Sequence, residues 1–511
     1  GQYSKSNGES SSISADLTAN YSLYLKKHQL LVNAGWSMQQ NQSESTQFKV
    51  IGFPNDRINF IASGLKPDNI QPFSGSEGIN RSISFLSALN YSYDDRYLAD
   101  LSYRASASSL FGKENRWGHF WAAGLGWNLH KEHFLKNASW LKQFKLRAST
   151  GYTGAHNFSS YQALATFGYY QTQVYDNWIG SYLMALPNDN LKWQKTLDYN
   201  IGVDINVMNR LSVRYDYYTQ KTEDQLLALT IPPSMGFRSY MENLGSTENK
   251  GMELKLNAHL LYDPASNRYL STFFSIAKNS NKLKKISNAL KSYNDEVDSE
   301  IQGGKTNKPQ LHFIEGESMN AIWAVRSLGI DPATGDEVYL TKNGDKTMVW
   351  RTEDQVVCGD AMPKYTGTFG VNVDYKGVFM NMSFYYQLGG QVYNQTLVNR
   401  VENAYVGLNV DKRIYDAVWK QPGDIVDFSY SPAKVTKPSS RFVQDLNELR
   451  FSTLNIGYDF RNTELLTRLI ISQLKVSFYM NDIFRASTVK VERGLDYPFA
   501  RTYSFSLQAT F

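Results

Sequence analysis

The sequence predicts an all-β protein, a transmembrane antiparallel β-barrel of about fifteen strands with long external loops. Three observations predict it. Apolar and polar residues alternate with period two through segments of about 9 to 13 residues, the length that crosses a bilayer obliquely. Aromatic residues are 14% of the chain, with 34 Tyr, 27 Phe and 10 Trp, and many stand near the ends of those segments, where interfacial girdles form. The connections alternate between tight turns and long loops, the asymmetry of an outer-membrane barrel.

The alternation is clearest at the C-terminus, where Tyr503, Phe505, Leu507, Ala509 and Phe511 interleave with Ser504, Ser506, Gln508 and Thr510. It recurs at Ile201, Val203, Ile205 and Val207 against Gly202, Asp204 and Asn206. It recurs again at Leu254, Leu256, Ala258 and Leu260 and at Met380, Met382, Phe384, Tyr386 and Leu388. The pattern predicts strands near 12–24, 29–40, 81–93, 97–106, 118–130, 143–151, 195–207 and 210–219. Further strands are expected near 249–262, 268–279, 366–376, 378–389, 448–461, 473–481 and 501–511. Short turns include 208–210, 263–267 and 376–377, and long loops fall at about 41–80, 152–194, 220–248, 280–365, 390–447 and 482–500. An odd count leaves the first and last strands pointing the same way, so an antiparallel barrel needs further strands to close. The expectation is therefore that residues 1–511 form the C-terminal part of a larger barrel, with no separate soluble domain and the rest of the wall supplied elsewhere.

Composition excludes several other classes. Mean hydropathy is −0.44 and no run of 18 apolar residues exists, so no helix is long and apolar enough to cross a membrane. Cys358 is the only cysteine, which forbids an internal disulfide, and no Cys/His spacing of zinc type accompanies it. The net charge of +5 is spread along the chain, so no nucleic-acid partner is expected. Gly303-Gly304-Lys305-Thr306 lacks the earlier glycine of a phosphate-binding loop, and Gly124-Leu125-Gly126-Trp127 lacks the third glycine of a dinucleotide fingerprint. His130 and His133 have no third ligand in view, and Asp94-Asp95 reads as a solvated turn. No cofactor, metal or catalytic residue is expected, and the chain is not read as an enzyme.

Several segments, taken in order, resemble the SusC/RagA class of TonB-dependent outer-membrane transporters. They are Asp94-Asp95-Arg96-Tyr97-Leu98 with Ser108-Ser109-Leu110-Phe111-Gly112 and Asn115-Arg116-Trp117-Gly118, then Asn190-Leu191-Lys192-Trp193-Gln194-Lys195-Thr196. Asn249-Lys250-Gly251-Met252-Glu253-Leu254 and Gly329-Ile330-Asp331-Pro332-Ala333-Thr334-Gly335-Asp336 follow. Pro363-Lys364-Tyr365-Thr366-Gly367, Arg441-Phe442-Val443-Gln444-Asp445 and Arg501-Thr502-Tyr503 lead to the terminal Phe511. Asn249, Lys250, Gly251, Gly329 and Gly335 are expected at turns and strand beginnings, with Asp331 a further structural motif residue, and Arg501 and Arg441 near external strand ends, beside carboxylates or lipid headgroups. Phe511 suits the C-terminal signal read by barrel-assembly machinery.

The resemblance implies a 22-stranded barrel in the bacterial outer membrane, of which this chain carries the last fifteen strands. It also implies a plug with a TonB box, contacts with the TonB complex through that plug, and a SusD-like lipoprotein over the external mouth. This chain contains no recognisable plug or TonB box. The expected function is import of oligosaccharides or oligopeptides. The loop aromatics Tyr169, Tyr170, Tyr175, Trp178, Trp350, Tyr405 and Trp419 are the candidate ligand contacts, since sugar rings or peptides can stack on them. The alternatives are a self-contained passive porin and, behind it, a barrel adhesin or surface hydrolase.

Overall fold

A computed structural model describes residues 2–53, 55, 57–58, 60–65, 73–155, 161, 163–176, 178–230, 237, 239–243, 245–286, 288–304, 306–404, 407, 410–429, 435–461, 466, 471–490 and 501–511. In chain order the elements begin β1 (Gln2–Leu25), β2 (His28–Ile51), β3 (Phe73–Tyr93), β4 (Tyr97–Ser108), β5 (Trp117–Asn128), β6 (Leu141–Ala155), β7 (Thr166–Tyr175) and β8 (Trp178–Ala185). They continue β9 (Gln194–Val207), β10 (Leu211–Glu223), β11 (Leu226–Thr230), β12 (Ser239–Asn243), β13 (Ser246–Asp263), β14 (Arg268–Lys285), α1 (Asn288–Gln302), β15 (Ala321–Ile330), β16 (Glu337–Leu340), β17 (Lys346–Thr347) and β18 (Gln355–Asp360). The last are β19 (Tyr365–Tyr375), β20 (Val378–Tyr393), β21 (Val443–Arg461), β22 (Gln473–Ser487) and β23 (Tyr503–Thr510). Fifteen of them form one antiparallel sheet in the order β1-β2-β3-β4-β5-β6-β9-β10-β13-β14-β19-β20-β21-β22-β23. Each of the fifteen predicted strands corresponds to one of these, in sequence order. The chain divides into two compact units: Gly1–Leu125, Ser149–Asp198 and Thr222–Leu244, and the remainder.

In the first unit the register aligns Leu17, Trp36 and Phe85 in one row and Tyr21, Val32, Leu89 and Leu101 in another, all on one face. Leu17 is 68% exposed, as expected where lipid replaces solvent. Phe85 stacks on Trp117 at 6.2 Å, and at the other strand ends Tyr93 stacks on Tyr97 at 6.4 Å. From His28 to Trp36, at about 3.3 Å per residue and a tilt near 40°, the aromatic belts stand roughly 20 Å apart, close to the height of a lipid-facing band. The opposite face is polar, with Asp16, Ser37, Ser84 and Ser106 in register.

β1 and β2 each run 24 residues, well past the predicted 12–24 and 29–40. Beyond the belt, Ser, Asn, Gln and Glu occupy both faces, so no hydrophobic alternation marks these stretches. Backbone pairing nevertheless continues from Ile13↔Gln40 to Gln2↔Ile51.

In the second unit the lipid-facing ladder is aromatic. Phe369 stacks on Phe384 at 4.9 Å, Phe384 on Phe451 at 4.5 Å, and Phe451 meets Phe484 edge-on at 6.1 Å. The inner face is ionic: Arg147 pairs with Asp204 at 3.0 Å and Asp216 at 2.6 Å. Turns are tight where positive φ is tolerated, at Met208-Asn209 (52°, 55°) and Lys376-Gly377 (51°, 95°).

The stretch expected as a plain loop at 280–365 instead carries α1 and the four-stranded sheet β17-β16-β15-β18. Leu290, Asn294, Val297 and Ile301, spaced by threes and fours, form the buried stripe of α1. Val297 and Ile301 cluster with Val325, Tyr339 and Trp350. A second cluster of Leu397, Val398, Val401, Val418, Phe428 and Phe442 comes from the β20–β21 connection. These segments make a lobe with its own buried apolar residues. The connections 152–194 and 220–248 likewise contain hairpins, β7–β8 and β11–β12.

Candidate functional site

The lobe encloses a cavity of about 440 Å³ lined by Asp336, Glu337, Tyr339, Trp350, Glu402 and Lys437, among others. Behind it lies a buried ion triad. Arg441, one residue before Phe442 and two before β21, donates from Nη2 to Glu337 Oε2 at 2.9 Å and from Nη1 to Glu402 Oε2 at 2.6 Å. Nη1 also reaches the Asp427 carbonyl at 2.6 Å, and the guanidinium lies 4.5 Å over the Phe442 ring. The three charged side chains are 5–10% exposed. Burial works against the Arg441 charge, but hydrogen bonds to Glu402 and the field of Glu337 outweigh it and raise its pKa. Burial, reinforced by Glu337, pushes the Tyr339 phenol up as well.

Glu402 is further held by Thr436 Oγ1 at 2.8 Å and the Ser429 amide at 3.3 Å. The Lys437 ammonium lies 5.4 Å over the Trp350 ring and donates to the Gln302 carbonyl at the end of α1 at 3.0 Å. Burial draws its pKa down. The triad fixes three chain segments in one place and leaves a half-open acidic cavity rimmed by an aromatic ring.

The predicted loop aromatics separate into two groups. Trp350 is buried, with Nε1 donating to the Pro438 carbonyl at 2.9 Å, so only part of its ring faces the cavity. Trp419 donates to the Pro332 carbonyl at 3.0 Å, and its ring leaves no room for a side chain at Gly335, where a Cβ would come within 2.5 Å. The other group is on the β7–β8 hairpin: Tyr169 is 67% exposed, Tyr175 86% and Trp178 77%, while Tyr170 meets Tyr182 at 5.0 Å. Tyr405 lies outside the described residues.

The motif residues take structural places. Asp331 Oδ1 accepts from the Ala333 amide at 3.0 Å and Oδ2 from Thr334 Oγ1 at 3.2 Å, closing a turn that ends on Gly335 at φ +75°. Asn249 Oδ1 accepts from Asn281 at 2.6 Å, and Lys250 pairs with Glu248 at 3.2 Å. Gly251 is required by proximity, because a Cβ there would meet the Tyr218 ring at 2.5 Å and the Lys278 carbonyl at 2.6 Å. Arg501 is exposed just before β23, and Phe511 is 83% exposed. Asp94 sits in a tight turn at φ 52°, paired with Lys27 at 3.2 Å and Arg96 at 2.7 Å. The Lys27 ammonium holds its carboxyl below the usual range. Sequence reasoning marked Arg441 but not Glu337, Glu402 or Lys437, which stand on three separate segments with no shared periodicity.

A lipid-facing antiparallel sheet with a polar inner face and elaborated external connections defines an outer-membrane barrel protein. Residues 1–423 match the family model described as TonB dependent receptor-like, beta-barrel, and the chain belongs to that family of outer-membrane proteins. It is 28% identical over 541 residues to TonB-dependent receptor P3 of Formosa agariphila, covering 97% of this chain and 52% of that relative. It is 29% identical over 396 residues to TonB-dependent receptor SusC of Bacteroides thetaiotaomicron, covering 75% of this chain and 38% of that relative. The fold matches the RagAB peptide importer in its "open-open" state with a TM-score of 0.83 at 21% identity, covering 100% of this chain and 56% of that one. The chain spans about half the length of the P3 relative.

Proposed function

We propose that residues 1–511 serve as the C-terminal part of the barrel of a SusC-like TonB-dependent importer, which takes up oligosaccharides or oligopeptides with a SusD-like surface lipoprotein. One observation carries the reading: among the described residues the sheet has fifteen antiparallel strands, greasy outside and polar inside within the lipid-facing band. An odd number cannot close antiparallel, and membrane-crossing edges at β1 and β23 require partners. In this reading, further strands and a plug complete the wall and lumen, and the plug receives energy from the TonB complex. The β7–β8 aromatics and the lobe between β14 and β19 serve as contacts for ligand and lid.

The reading is tested in cells carrying the full-length protein. Uptake of a fluorescent oligosaccharide or oligopeptide should stop when the proton-motive force is collapsed. Uptake that persists, or stable open-channel conductance of the purified protein in bilayers, would instead establish a passive porin. Deleting residues 286–364 should reduce co-purification of the lipoprotein, and undiminished recovery would remove the lobe from that interface.

A further inference from the structure

Along β4, Ser102, Arg104, Ser106 and Ser108 share the inner face, alternating with Leu101, Tyr103 and Ala105 on the lipid side. The register sets Ser106 directly opposite Ser84 and Arg104 opposite Leu86. Both serines are buried, their hydroxyls 2.9 Å apart. Arg104 lies across them, with Nε donating to Ser106 Oγ at 2.8 Å and Nη2 to Ser84 Oγ at 3.1 Å. Two contacts on one edge fix the plane of the guanidinium. They leave its Nη1/Nη2 end open, the fork that matches a carboxylate.

Among the described residues no carboxylate contacts Arg104; the acid at the cavity wall is Asp198, whose Oδ2 accepts from the lining residue Thr153 at 3.4 Å. Arg104 is exposed to a cavity of about 660 Å³ whose lining includes Gln39, Ser82, Thr153, Phe120 and Trp193 and contains no Asp or Glu. Among the described residues it makes no ion pair, whereas Arg147 has Asp204 and Asp216, and Arg450 and Arg485 share Glu448. The cavity is braced by Trp193, packed against Phe111 at 4.3 Å and Phe120 at 5.4 Å. Arg104 stands at the level of the Trp36–Phe85–Trp117 belt, on the opposite face of the sheet. An oriented guanidinium with no carboxylate in contact, facing a braced hollow, is a receptor for an anion.

We propose that Arg104, positioned by Ser84 and Ser106, receives a carboxylate of the imported ligand, so that the transporter selects acidic oligomers. This rests on the import reading above. The test uses the full-length transporter in detergent with two matched pairs of probes: tetragalacturonate against its methyl ester, and tetraglutamate against tetraglutamine. At least one acidic probe should bind roughly ten- to hundredfold more tightly than its neutral partner. The more tightly bound member identifies the carboxylate as uronate or peptide. R104Q should abolish that preference, chiefly by weakening the acidic probe, and R104K, which keeps the charge but loses the fork, should retain part of it.

No preference for either acid in the wild type, or a preference that survives R104Q, overturns the assignment. If R104Q lowers the melting temperature of the ligand-free transporter but leaves discrimination intact, the anion belongs to the protein's own plug and the proposal is likewise wrong. Import is scored separately in cells. Failure of every oligomer to enter through the wild type would sink the importer reading, while acid preference in detergent would still report on Arg104.

Discussion

Replacing Arg441 by methionine would leave Glu337 and Glu402 facing each other, both nearly buried, with their shared cation gone. Removing one partner of a buried ion pair costs about 3–5 kcal/mol, because the stranded charges keep their desolvation penalty. The upper part of that range applies here. Both ion pairs are short, at 2.9 and 2.6 Å, and the Asp427 carbonyl loses its donor as well. At 1.4 kcal/mol per decade, opening of the lobe should rise by about three to three and a half decades. Hydrogen exchange on the purified protein reads this directly: amides of β15 and β16 lose protection by that factor while those of β19 and β22 keep theirs. Converting the two acids as well, in R441M/E337Q/E402Q, should restore most of the protection. Unchanged exchange in R441M, or a triple variant as open as the single one, would refute the claim that charge and not packing holds these segments.

Three further outcomes follow from other sites. G251A should slow barrel assembly, seen as loss of the heat-modifiable band on gels, and the double variant with Tyr218→Ala should recover only part of it, since it removes the ring but leaves the Lys278 carbonyl in the way. The Arg413 guanidinium holds the Asp411 carboxyl down to about 2, so the contribution of this pair is full above the ordinary carboxylate value and fades as pH falls toward 2. D411N should therefore be more readily nicked by protease than wild type above pH 4, with the difference vanishing near pH 2. M382R places a charge between Val371 and Leu454 on the lipid face. It should cost about 2–4 kcal/mol in urea titrations of the vesicle-inserted full-length protein if that level is near the midplane, and less toward an interface.

The wall was legible in the sequence because hydrocarbon enforces its pattern. Ile201, Val203 and Ile205 must face outward, so Asp204 faces inward, where it meets Arg147. Turns were legible for a related reason: Asp94, Asn209 and Gly377 are residue types that accept positive φ, and each does. Where neither lipid nor a tight turn constrains composition, the signal fades. The upper halves of β1 and β2 carry Ser, Asn and Gln on both faces, and α1 shows only three apolar residues on its buried stripe. The site shows the same limit. Gly335 and Trp419 were each conspicuous, one as a turn residue and one as a loop aromatic, yet nothing in the sequence says that one makes room for the other. Arg441 stood out by its motif, but its acids lie 104 and 39 residues away, beyond the reach of any periodicity.

Lobe and wall therefore draw on different sources of stability, and the place where they join decides how far a disturbance travels. Phe442 is fully buried and packs on Tyr393 at 5.7 Å, and its carbonyl accepts from the Asn394 amide at 2.8 Å, so Arg441 is anchored to the outer ends of β20 and β21. Opening the lobe must fray the pairs from Tyr393↔Val443 to Gly390↔Leu446. There the register shifts between Gln387 and Gly390, with Gly389 at φ +74°, a bulge that interrupts the ladder. Below it the Phe384–Phe451 stack resumes at 4.5 Å in lipid. Fraying across the bulge would require breaking that stack without the gain of any new contact, so the bulge is where the movement stops. In R441M the step in hydrogen-exchange protection should fall between Gln387 and Gly390, and protection lost as far as Phe384 would show that lobe and wall unfold as one unit.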